Sequence, residues 1–332
     1  MNTYIVENYE LVRSAKKSDI PAVIIISNGY SSISRCYNTL EVGALTLTTS
    51  GDAQAVMDVA TGVFKAGASV IVAGGLAPSV ANEARAVVQV SGDAIDEDDL
   101  ADLEKDGIFR IVVTDTTPTW GTNVTDKDKS RFALYDHTTL ISSAQTHDDE
   151  LMGFIAGQIC KGYYEDSALP YNNIAVDNII GADDIVYKTN TELNTLFHAN
   201  KIAFYNVNGR PCLFGIPTLA TYNLTSLWFD LTVRQTTDFV ADAIITTLKD
   251  KYPRTKRNQE VLTSIKASTI SVLENLQNRE IIENENTDDV VVMTDGTRDG
   301  LIIAYTLDVV TPLYIVTIKQ SVTLGDMNII TG

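Results

Sequence analysis

The chain is poor in the residues that carry catalysis, metals and cross-links. Only three of its 332 residues are cysteine (Cys36, Cys160 and Cys212), far apart and without CxxC spacing. An odd, scattered set excludes a disulfide framework and reads as reduced core residues of a protein made in the cytosol. Histidine is as scarce: His137, His147 and His198 form no HExxH pair, so metal ligation is not expected. His147 precedes Asp148 and Asp149, an acid–base pair on paper, but a helix start with carboxylates complementing its dipole explains the same residues better. GxSxG and GxxxxGK[ST] are missing, which removes the serine-hydrolase elbow and the P-loop phosphate cradle. Residues 70–80 resemble the strand, glycine turn and helix that hold a dinucleotide, yet only Gly74 and Gly75 stand where three glycines are needed. The carboxylates of Asp295–Gly300 are spaced suggestively, but Thr306 sits where a calcium loop needs its bidentate Glu. No apolar run approaches the ~20 residues of a membrane helix. The first ten residues lack the basic and apolar regions of a signal peptide. No enzyme activity, cofactor, metal or membrane insertion is therefore expected.

What is present suits packing and solubility. At 45% hydrophobic and 20% charged residues the chain builds ordinary cores, and its length suits two domains. The net charge of −18 repels phosphates over most of the surface, so nucleic acid is not an expected partner. That charge is uneven. Asp96–Asp106 is an acidic island that reads as a solvated helix face. Against it stands a basic cluster at 249–257, with Lys249, Lys251, Arg254, Lys256 and Arg257 facing one acid. Two readings of the cluster stand side by side: cations complementing a helix C-terminus, or a docking patch for an acidic surface.

Residues 1–20 are polar and mixed, with a β-prone patch at Tyr4, Ile5 and Val6, and read as an arm. From Ala22 the pattern alternates. Buried strands are expected at Ala22–Ile26, Ser69–Ala73 and Phe109–Thr114, with a weaker one at Leu45–Thr48. Helices are expected at 51–65, at 78–90 and, short and acidic, at 98–105. This alternation argues for an α/β layer with at least partly parallel strands. Thr116–Ser130 reads as loop and 131–135 as a short strand. A helix from about Asp148 to Lys161 has Gly153, Ala156 and Gly157 on a smooth face, and another is expected at 191–199. Asn208-Gly209 between two apolar runs is a strong hairpin turn signal.

The last hundred residues are ordered differently. A helix with Phe239, Val240, Ala243, Ile244 and Leu248 on one face leads through the basic cluster to a second helix carrying Ile265, Leu273 and Leu276. Two β-runs follow, 290–294 and 301–310. Pro312 then breaks the chain before a segment, Leu313–Leu324, with Tyr314, Val316, Ile318, Val322 and Leu324 on one face. A β-prone segment placed after a breaker has a strand to give, to its own sheet or to a neighbour.

In this order of parts the chain resembles the contractile tail sheath proteins of bacteriophages and related injection particles. The likeness is carried by Tyr37–Val42, Ser50–Met57 and Val63–Gly67 with the strand from Val70, and by the small-residue helix Leu151–Cys160. Thr191–Tyr205 and the stretch from Asp238 onward continue it. The resemblance implies an outer α/β domain over 21–200. It further implies an inner α+β sheath-type domain over 201–311, completed by extended terminal strands from the arms 1–20 and 312–332. It also implies a structural subunit that stacks as hexameric rings around an inner tail tube and contracts to drive that tube through a cell envelope. Its partners would be further copies of itself, the tube protein, and baseplate and terminator proteins. It would be placed in a virion tail assembled in the host bacterial cytoplasm. Tyr4, Ile5, Val6 and the apolar residues of 314–324 become inter-subunit strand candidates, and the basic cluster a tube-facing candidate. Two rivals remain from the residues alone: an α/β nucleotide-binding enzyme using the crevice beside Gly74-Gly75, and a non-contractile baseplate or collar component.

Overall fold

A computed structural model describes residues 21–47, 50–76, 84–90, 95, 99–104, 108–135, 148–181, 184–185, 189–222, 227–253, 258–285, 289–294 and 301–310. Its centre is a six-stranded sheet. The strands are β1 (Ala22–Ile26), β2 (Ile33–Cys36), β3 (Ser69–Ala73), β4 (Ala84–Gln89), β5 (Ile111–Thr114) and β6 (Phe132–Leu134), in the order β2-β3-β1-β4-β5-β6. All pairs are parallel except β2 against β3, which closes one edge antiparallel. β1 and β3 are buried throughout, which is why they read as continuous apolar runs rather than alternating ones.

One face of the sheet lies under two stacked helices, α2 (Ser50–Ala66) and α5 (Asp148–Glu165); the short α1 (Thr39–Gly43), α3 (Leu100–Leu103) and α4 (Asp126–Lys129) lie in the connections. The α2–α5 crossing is close because glycine makes it so. A Cβ at Gly153 would overlap the carbonyl oxygen of Val59, and one at Gly62 the carbonyl oxygen of Glu150. The smooth face expected on this helix is therefore its contact face. The opposite side of the sheet carries a smaller cluster of Ile24, Ile71, Val87, Val112 and Phe132 with Leu103 and Trp120.

Three expectations fail. The stretch Thr116–Ser130, read as loop, holds α4, started by the Thr125–Asp128 capping box. Residues 84–89 form the buried strand β4 rather than part of a helix, since Val87 and Val88 fill the two faces of the sheet beside β1. The weak strand at Leu45–Thr48 is not formed over 45–47, and the edge position belongs to β2 instead. Residues 77–83 lie outside the described residues.

After α6 (Asn190–His198), β8 (Ala203–Val207) and β9 (Arg210–Gly215) form the expected hairpin, joined by β7 (Ile174–Ala175). Asn208 and Gly209 both take positive φ, 53° and 85°, as a two-residue primed turn requires. Phe204, Leu213, Phe214 and Ile216 enter the same core as the α/β sheet, and Leu219 donates its amide to the Phe132 carbonyl at 2.8 Å. The long helix α7 (Leu231–Lys251), capped by Asp230, then crosses from this core into a second one. There α8 (Gln259–Asn278) packs beside it, with Val240, Ala243 and Ile244 against Leu273 and Leu276.

Candidate assembly interface

The second core is roofed by a two-stranded ribbon. β10 (Ile282–Glu285) pairs antiparallel with β13 (Leu307–Val309), and β11 (Val291–Thr294) with β12 (Leu301–Ala304). Together they make one interrupted ribbon running from Ile282↔Val309 to Thr294↔Leu301. Its inner face places Ile282, Val290, Ile303, Tyr305 and Leu307 on α7 and α8. A half-buried ribbon ordinarily turns polar side chains outward. Here Val291, Met293 and Ile302 stand on the outside, 44%, 44% and 46% exposed. Among the described residues each ribbon strand has one ladder partner, which leaves its other edge open to strand addition. An open edge next to an apolar outer face is the arrangement that a further strand would complete.

What holds the ribbon and its helices to the α/β layer is a set of buried charges along α7. Asp238 sits between Arg131 and Arg234: Arg234 donates to it through Nη2 at 2.7 Å and Nε at 3.2 Å, and Arg131 through Nη2 at 3.0 Å and also through Nη1. Glu104 accepts from both arginines, at 2.6 Å from Arg131 and 3.1 Å from Arg234. One turn further along α7, Asp242 accepts from Arg85 at 3.2 Å and from the Tyr163 hydroxyl at 2.7 Å. Loss of water pushes the Asp238 carboxyl up to about 7, against the opposing pull of Arg131. Removing one partner of such a pair is costly because the other charge stays buried.

The remaining sequence candidates fall as follows. Lys249 and Lys251 lie in the last turn of α7 and are exposed. Arg254, Lys256 and Arg257 lie outside the described residues, as do Tyr4, Ile5, Val6, Tyr314, Val316, Ile318, Val322 and Leu324. Gly74 serves Tyr30, whose carbonyl oxygen would collide with a Cβ there; that accounts for the glycine after β3 without a cofactor. His198 stacks on Tyr222 at 3.8 Å, while His137 and His147 lie outside the described residues. Asp148 accepts from the Tyr135 hydroxyl at 3.0 Å. Among the described residues no group of side chains is arranged to hold a metal ion, and no helix is long and apolar enough to cross a membrane. The sequence reading missed the outer ribbon face and the buried arginines. The first had a signal: Val290–Met293 and Leu301–Ala304 are apolar without alternation, the mark of a strand with no solvent face.

Residues 224–323 match the phage tail sheath C-terminal domain family, a span that begins just before α7 and takes in α8 and the whole ribbon. No curated protein matches the sequence. Solved structures of similar fold cover nearly all of the chain. The contracted helical sheath of the anti-feeding prophage matches with a TM-score of 0.59 at 12% identity, over 91% of this chain and 92% of that one. The sheath tail protein of Desulfitobacterium hafniense gives 0.60 at 10% identity over 88% and 97%, and that of Listeria innocua 0.60 at 8% over 91% and 96%. The mixed α/β fold of this chain is the fold of those sheath proteins.

Proposed function

We propose that this chain, with a tail sheath C-terminal domain set in a sheath fold, is the repeating subunit of a contractile sheath. Copies stack as hexameric rings around an inner tube, and each ring is tied to its neighbours by exchanged terminal strands. The observation that carries this is the ribbon, which combines open edges with an apolar outer face within the matched span 224–323. The segments proposed to complete it are Leu313–Leu324, with Tyr314, Val316, Ile318, Val322 and Leu324 on one face, and the patch Tyr4-Ile5-Val6. Backbone ladder bonds keep such a link intact while subunits turn past one another. The role is structural and needs no bound cofactor; the energy of contraction is held in the difference between two packings. Lys249 and Lys251, with Arg254, Lys256 and Arg257, face the tube, where exposed ion pairs of ~0–1 kcal/mol each suit a contact that must release. Baseplate and terminator proteins bound the polymer, in a virion tail built in the host cytoplasm.

The test is electron microscopy of the full chain, incubated alone and with tube and baseplate, beside a variant truncated after Thr311. Long hollow cylinders from the full chain that are lost on truncation are expected. Closed rings that never lengthen would refute the sheath in favour of a collar or baseplate component. Cylinders that survive truncation would refute the role of the C-terminal strand.

A further inference from the structure

A second group of exposed apolar side chains lies at the far edge of the sheet. Ile33 and Tyr37 are 44% and 52% exposed, and Leu40 in α1 is 85% exposed, the most open large hydrophobic among the described residues. β2 is the edge strand, laddered to β3 alone among the described residues. Cys36 points into the core, so Ile33, Arg35 and Tyr37 share the other face, with the Arg35 guanidinium 5.2 Å from the Tyr37 ring centre. An apolar stripe on an open edge strand is a docking surface or a liability.

Where the chain enters the sheet says what covers the stripe. Ser69 donates to the Pro21 carbonyl through its amide at 2.7 Å and its hydroxyl at 3.1 Å, and Arg35 donates to the same hydroxyl at 3.2 Å. The register Cys36↔Val70 sets Tyr37 level with Ser69, and Ser69 is level with Ala22. Pro21 and Tyr37 are thus two strand spacings apart at the same end of the sheet, about 10 Å. The twenty residues before Pro21 reach up to roughly 65 Å when extended. Of their apolar members, Tyr9, Leu11 and Val12 lie nine to twelve residues before Pro21, far enough to cross to the stripe and well within that reach. A segment tethered this closely sees the stripe at an effective concentration on the order of millimolar, above that of any other copy in dilute solution.

We propose that in the unassembled subunit the segment before Pro21 docks Tyr9, Leu11 and Val12 on Ile33, Tyr37 and Leu40 of its own copy. The arm is thereby kept from neighbours until a growing ring offers it a better partner. That consequence rests on the sheath reading; the docking does not. Tyr9 and Leu11 are themselves chymotrypsin sites, so protection of the docked stretch is measurable on the dilute full-length monomer. Leu40→Asp, with Ile33→Ser as a second variant, is expected to speed cleavage in the arm about tenfold at an unchanged melting temperature, and to raise hydrogen exchange over residues 4–12. Equal cleavage and exchange in wild type and both variants would overturn the proposal. So would wild-type protection that grows with protein concentration, which would make a second copy the occupant. Failure to form cylinders, with the arm still protected, would strike the sheath reading and leave the docking standing.

Discussion

Replacing Gly153 by alanine tests how the two long helices of the α/β layer are packed. On an isolated helix the change is favourable by about 1 kcal/mol, because glycine is the poorer helix former. In this fold the added methyl would overlap the Val59 carbonyl oxygen and lie 2.8 Å and 2.9 Å from the Val59 carbonyl carbon and Cα. Carbon atoms rest about 3.5–4.0 Å apart, and helix backbone has no rotamer by which to step aside. The α2–α5 pair must therefore open by on the order of 1 Å, a gap that forfeits a quarter to a half of each dispersion contact along it. Overpacking of this kind costs about 1–3 kcal/mol and sometimes more. With backbone as the obstacle we expect the upper end, a net loss of about 2 kcal/mol and a melting temperature lower by about 3 °C. The assay is thermal and urea unfolding by circular dichroism, with Gly75→Ala as the control, since nothing lies within 4 Å of a Cβ there. If Gly153→Ala matched or exceeded wild type in stability, the propensity gain would have won and the close crossing would be refuted.

Three further outcomes are expected. The Asp238 carboxyl is raised to about 7 from an ordinary 3.8, so the folded state holds this proton where the unfolded chain has lost it. Its contribution is complete below about pH 4 and disappears as pH rises to about 7, with a slope of at most ~1.4 kcal/mol per pH unit. Asp238→Asn should flatten urea midpoints across that window, and a variant with the wild-type slope would show that Asp238 does not titrate there. Arg131→Ala leaves the buried Asp238 with one arginine fewer and should cost about 3–5 kcal/mol at about pH 8, where Asp238 is ionised; a loss below ~1 kcal/mol in chemical unfolding at that pH would contradict the charge arrangement. Ile302→Lys on the exposed ribbon face should shift stability by no more than ~0.5 kcal/mol yet prevent cylinder formation, whereas wild-type cylinders by electron microscopy would remove that face from the interface.

Local signals made most elements legible. Five consecutive apolar residues at Ala22–Ile26 and again at Ser69–Ala73 hold strands, and Asn208-Gly209 sits in the turn its residues dictate. The same locality explains the failure at 84–89. Ala-Arg-Ala-Val-Val-Gln satisfies helix and buried strand alike, and only the neighbouring β1 and β5 decide between them. β2 carries Ser and Arg on an edge and gives almost no periodic signal. Asp238 and Asp242 of α7 stand at ordinary polar positions of an amphipathic helix, and Arg234 adds only a local pair four residues before Asp238. Arg85 and Arg131 turn the two acids inward from 157 and 107 positions away in sequence, a pairing that no window along the chain contains.

Helix α7 also has a mechanical consequence. Its 21 residues form a rod about 32 Å long, with Leu231 set in one core and Val240 and Ile244 in the other. The charged residues grip it near mid-length, where a hinge between two bodies would ordinarily lie. A pull on the ribbon is therefore passed down the axle to β4 and β6 with no slack to take up. If copies polymerise as proposed above, displacement falls to the joints between them, and each copy acts as a stiff link.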